Sequence, residues 1–154
     1  MKKLTLIFTI FFIISCGNNV NTSNSNKSDN ALKFINAYVE FSNKTGKKMD
    51  IIEWVNSIDM TTKGFKSDLK KIVDQAYEQN PEFGLEADPI FDAQDYPSKG
   101  FEIESFEQNS NYLTIKGIDW TEFKLNIKII EENGNWLVDG CGIVNIPTDK
   151  RAKR

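Results

Sequence analysis

The hydrophobic period of this chain changes once, and that change limits the fold classes open to it. Up to Tyr77 the apolar residues recur every three or four positions, and from Phe101 onward they alternate with polar ones. Phe65, Leu69, Ile72, Val73, Ala76 and Tyr77 fall at i, i+4, i+7, i+8, i+11 and i+12, an apolar stripe along one face of a helix. Phe101-Glu102-Ile103, Tyr112-Leu113-Thr114-Ile115 and Phe123-Lys124-Leu125-Asn126-Ile127-Lys128-Ile129 repeat every two residues, as strands with one buried face do. Helices followed by strands, with no βαβ alternation, predict an α+β domain: three N-terminal helices packed on one face of a curved four-stranded antiparallel sheet.

Local signals place the elements. Ser28 or Asp29 is the expected cap of a first helix carrying Leu32, Ile35, Tyr38 and Val39, with Phe34 and Phe41 on its flanks, and ending near Gly46. Asp50 opens a short second helix through Val55. Thr61 or Thr62 caps the third, whose wet side carries Lys63, Lys66, Lys70 and Lys71. Pro81, Gly84, Pro89, Pro97 and Gly100 punctuate a connection of nearly twenty residues, long enough to expect a function for it. Asn133-Gly134 predicts a type I′ reversal into a fourth strand starting at Trp136.

Residues 1–15 have a different character. Lys2 and Lys3 precede a run from Leu4 to Ile14 that only Thr5 and Thr9 interrupt. As a helix this run rises about 16 Å, roughly half of a bilayer core, which suits a cleaved export signal better than a spanning segment. Ile13-Ile14-Ser15-Cys16-Gly17 resembles the lipobox of bacterial lipoproteins, which implies acylation of Cys16 and anchoring of the new N-terminus to a membrane. Gly17 after the Cys implies transfer to the outer membrane, with the domain facing the periplasm. Residues 18–30 are almost purely Asn, Ser and Thr, the composition of a flexible tether, so the expected organisation is signal 1–15, tether 16–29, domain 30–149 and basic tail 150–154.

Charge and residue types exclude several functions. Without Lys2 and Lys3 the chain holds 17 basic against 22 acidic groups, and four of the basic ones, Lys150, Arg151, Lys153 and Arg154, end the chain as a run expected to be solvated. The remaining body is acidic and unsuited to nucleic acid. There is no histidine, which removes triads, His-based metal sites and the usual proton shuttle at neutral pH. With Cys16 acylated, Cys141 has no intramolecular partner and reads as a small buried residue in the last strand. No cofactor pattern is present. Glu86, Asp88, Asp92 and Asp95 bring four carboxylates into ten residues, but their spacing is not that of an EF-hand, and turn formation through Asp88 before Pro89 is the better reading.

The stretch Asp88-Pro89-Ile90-Phe91-Asp92-Ala93-Gln94-Asp95-Tyr96-Pro97, with Gly134-Asn135-Trp136-Leu137-Val138-Asp139 downstream, resembles a family of bacterial envelope lipoprotein domains of unknown function, the YbjP type. The resemblance covers roughly residues 30–147 and is distantly similar to toxin-immunity proteins. It implies a non-catalytic module that binds another envelope protein. The element order also resembles NTF2-like and cystatin-like folds, in which helices lie in the concavity of the sheet. The expected partner contacts are Asp88, Asp92, Gln94, Asp95 and Tyr96, with Trp120 as the tryptophan expected to be exposed. The alternative is a pocket protein of the NTF2-like kind that binds or converts a small molecule.

Overall fold

The computed structural model describes residues 20–44, 50–106 and 110–152. Its elements are α1 (Val20–Asn43), α2 (Ile51–Asn56), α3 (Lys63–Gln79), β1 (Phe101–Phe106), β2 (Tyr112–Gly117), β3 (Lys124–Glu132), β4 (Asn135–Cys141) and a 3₁₀ turn at Thr148–Lys150. The four strands form one antiparallel meander in the order β1-β2-β3-β4. The α+β architecture therefore holds, with two long helices and a third of six residues.

The pleat decides which face of the sheet the helices cover. Leu113, Ile115, Leu125, Ile127 and Ile129 point inward and are at most 2% exposed, and they meet Phe34, Ile35, Tyr38, Phe65 and Leu69 from α1 and α3. On the other face, Glu102 pairs with Lys116, Glu104 with Lys124, and Asp139 with Lys128. Asn133 and Gly134 both take positive φ, 52° and 79°, and Glu132 pairs directly with Asn135, so the reversal is the two-residue type expected.

Asp50 caps α2 by accepting from the Glu53 amide, and Thr62 caps α3 by accepting from the Phe65 amide. Only the first half of the α3 stripe is buried. Phe65 and Leu69 are fully enclosed, Ile72 and Val73 are half-buried, and Tyr77 is 53% exposed because the helix runs past the edge of the core.

Two boundaries differ from expectation. The first helix starts at Val20, not at Ser28 or Asp29, so ten of the fourteen residues expected as a tether, 20–29, are helical. Asn and Ser are poor helix formers alone, but nucleation is the costly step, and once residues 30–43 are packed each added residue extends a formed helix at little cost. Lys27 lies over the rings of Phe106 and Trp136, and the Asn30 side chain donates to the Trp136 carbonyl, which holds this part of the helix on the sheet. The helix ends at Asn43, and Gly46 lies outside the described residues. At the other terminus the start of the expected tail, where Lys150 is exposed, also makes contacts with the domain. Lys150 accepts from the Asn126 side chain through its carbonyl and sits over the Tyr112 ring, while Arg151 donates to the Ile146 carbonyl. Lys153 and Arg154 lie outside the described residues, as do Cys16 and the export signal.

These contacts also orient the molecule. Lys27 and Asn30, early in α1, meet Phe106 and Trp136, whereas Asn36 meets Phe101 and Asn43 meets Ser98 and Tyr96. One pole thus holds the start of α1 and the turn at residues 133–134. The opposite pole gathers the end of α1, the long loop 80–100 and the turn 118–123.

Candidate functional site

The long loop is anchored to the core rather than draped over it. Asp88 Oδ1 accepts from the amides of Ile90 and Phe91, its own amide donates to the Ala93 carbonyl, and its Oδ2 accepts from the Tyr38 hydroxyl. This side-chain turn drives Ile90 and Phe91 into the core, where both are fully buried. Asp92 takes a left-handed φ of 52° to complete the reversal. Behind the loop the Ile143 amide donates to the Pro89 carbonyl and the Cys141 thiol to the Ile90 carbonyl. The backbone comes so close there that a Cβ on Gly142, already at φ +60°, would lie 2.4 Å from both the Pro89 and Ile90 oxygens.

The turn 118–123 is fastened to the end of the same loop. The Ser98 hydroxyl donates to Asp119 at 2.9 Å, the Lys99 amide points at the same carboxylate at 3.3 Å, and the Ile118 amide donates to the Gly100 carbonyl. Partial desolvation opposes ionisation of Asp119, but the hydrogen bonds from Ser98 and Lys99 outweigh it and hold the carboxyl below the usual carboxylate range. Gly117 permits the approach, since a Cβ there would meet Pro97 Cγ at 2.4 Å and the Trp120 carbonyl oxygen at 2.5 Å.

Between loop and turn lies an open cleft of about 480 Å³ lined by Ala93, Gln94, Asp95, Trp120, Glu122 and Phe123. Its floor is apolar and its rim carries two carboxylates. Trp120 is 44% exposed and stands edge-on to Phe123, with ring centroids 5.1 Å apart. Gln94 also borders a second open cleft of about 420 Å³, next to Asp88, Glu86, Leu85 and Ile51.

Of the expected contact residues, the fold brings Gln94, Asp95 and Trp120 together and sets the other three behind them. Asp88 has both carboxylate oxygens engaged within the fold, although it borders the second cleft. Tyr96 stacks on Phe91 at 4.4 Å and reaches Asn43 through its hydroxyl, so it is a packing residue with one wet edge. Burial first, and the nearby Asp88 carboxylate second, push its phenol up. Asp92 forms the bend. Sequence reading missed Ala93, Glu122 and Phe123 as lining and Asp119 as the tie between the walls. No local pattern marks these residues, because their juxtaposition depends on a contact between the connection before β1 and the turn after β2.

Among the described residues no group of three or more acidic, Cys or His side chains is placed to hold a metal ion. The space between the helices and the sheet is filled, with Phe34, Tyr38, Phe65, Phe91 and Phe101 each at most 2% exposed. No protein-family model matches the chain, and neither curated proteins nor solved structures return a match. The family resemblance therefore rests on the residues quoted for it.

Proposed function

We propose that the chain is a lipid-anchored envelope module that binds another envelope protein without catalysing a reaction, held by an acylated Cys16 at the outer membrane and facing the periplasm. Its fold is of the NTF2-like or cystatin-like kind, with helices laid over one face of a meander. The observation that carries the binding reading is the contrast between a filled interior and an open aromatic cleft. A small-molecule pocket in such a fold needs an enclosed cavity with a polar group at its base, whereas here aromatic rings occupy that space. The cleft presents a half-exposed tryptophan beside polar groups, the composition of a protein contact.

Position supports the same reading. Three residues, Gly17 to Asn19, separate Cys16 from the start of α1, and the 24 residues of α1 rise about 36 Å toward the cleft. An anchor at Cys16 leaves the cleft at the pole remote from the bilayer.

The test is a photo-crosslinking amino acid placed at position 120, and in a separate strain at position 133 on the opposite pole, in cells producing the full chain. The expected result is a discrete protein adduct from position 120 and none from position 133. The same adducts from both positions, or none from position 120, would overturn the reading. Cys16→Ser is expected to move the chain out of the membrane fraction, and unchanged fractionation would overturn the anchor.

A further inference from the structure

The chemistry of the cleft narrows the class of partner, on the premise that the binding reading above is correct. Ala93, Trp120 and Phe123 give an apolar floor, and Ile118, 51% exposed, extends that surface along the same turn. Asp95 and Glu122 stand on the rim, and Asp119 lies one residue before Trp120. The residues across the floor are fixed: the Phe123 amide donates to the Trp120 carbonyl and the Gly117 amide to the Phe123 carbonyl, so the turn is shaped before any partner arrives.

We infer that the cleft receives a cationic segment of another protein, one apolar side chain inserted against Trp120 and flanking Lys or Arg side chains set against Asp95 and Glu122. An apolar floor pays for desolvation only when filled by an apolar group, and two rim carboxylates select against acidic neighbours of that group. Anionic lipid is disfavoured by the same charges, and the cleft faces away from the pole where the chain enters the domain. Among the described residues of this chain's own C-terminal segment, the two basic ones have contacts elsewhere, Lys150 at Tyr112 and Arg151 at Ile146.

The experiment uses the full-length chain in a nonionic detergent, titrated with the peptides Lys-Lys-Leu-Phe-Leu-Lys-Lys and Glu-Glu-Leu-Phe-Leu-Glu-Glu. The readout is the indole N–H resonance of Trp120, identified by its loss in Trp120→Phe. The cationic peptide is expected to shift that resonance with an affinity at least about tenfold above that of the acidic one, and to weaken as salt rises. In the Asp95→Lys, Glu122→Lys variant the preference is expected to fall to parity or reverse. Equal affinity for both peptides, no shift with the cationic peptide, a preference that survives the double charge reversal, or stronger binding to phosphatidylglycerol vesicles than to the cationic peptide would each overturn the inference. Concentration-dependent self-association abolished by Lys70→Glu on α3 would also overturn it, in favour of a second copy as occupant. Sequencing the partner segment in the position-120 adduct separates this inference from the reading beneath it. An acidic segment there would sink the inference and leave the binding reading standing, whereas the absence of an adduct would sink the binding reading.

Discussion

Tyr38→Phe removes a single buried hydroxyl, and its cost should depend on pH in a way that packing alone does not produce. The ring packs against Phe91, Trp54 and Phe41 with centroids 4.8, 5.1 and 5.9 Å away, and Phe can keep all of these contacts. What is lost is the hydroxyl donor to Asp88, a hydrogen bond to a charged acceptor inside the fold, worth about 2 kcal/mol at neutral pH. Burial chiefly, and then the Asp88 carboxylate, drive the Tyr38 phenol well above its ordinary value of 10.0. A pKa raised on folding means that the native state holds a proton which the unfolded chain gives up. The associated stability is complete below about pH 10 and is lost as pH rises beyond it, by about 1.4 kcal/mol at pH 11. Urea unfolding of both chains at pH 8 and pH 11 measures this directly. The Phe variant should be about 2 kcal/mol less stable at pH 8, and the gap should shrink by about 1.4 kcal/mol at pH 11. A gap that stays constant across this range would refute the argument that the phenol is held protonated in the fold.

Other positions in the same loop separate packing from contact. Asp88→Ala should cost about 3 kcal/mol in chemical unfolding, since it strips the acceptor from two amides and a buried hydroxyl, while Asp95→Ala should change stability by less than about 0.5 kcal/mol. Gly142→Ala should lower stability by more than about 2 kcal/mol, because the new methyl meets two carbonyl oxygens in a left-handed conformation; Gly134→Ala, with nothing within 4 Å of its Cβ, should cost only about 1 kcal/mol. Asp139→Ala should destabilise by about 3 kcal/mol, because this buried carboxylate joins Thr62 at the cap of α3, Lys128 on β3 and Asn145, and thermal melts of the variant should show the loss without a change in secondary structure at low temperature.

Residue periodicity revealed the architecture because it reports burial directly. The inward positions of β3 and the Asn133-Gly134 reversal were readable for that reason, as were the caps Asp50 and Thr62, whose side chains act on amides three residues away. The start of α1 was not readable: its polar first turns are decided by Lys27 and Asn30 reaching strands about 80 to 110 positions further along. The long loop was recognised by its prolines, and the role of Asp88 in the turn by its place before Pro89. Which neighbours faced outward depended on the Tyr38 hydroxyl donating to Asp88, fifty residues further along, and on Phe91 lying beneath Tyr96, a stacking that the spacing of the two rings in the loop does not specify. The cleft needed the further contact between Asp119 and Ser98, which joins two connections with the whole β1–β2 hairpin between them.

The margins of the sheet carry a last implication. The main chain of residues 60–62 lies along β4, exchanging hydrogen bonds with Val138, and the Asn36 amide both donates to and accepts from Phe101 at the margin of β1, which a register shift then bends between Ile103 and Ser105. Among the described residues, each flank is thus occupied at one position, and the β1 flank is bent as well. A strand of a second copy approaching either flank would first have to displace these contacts, which opposes the edge-to-edge pairing that seeds fibrils.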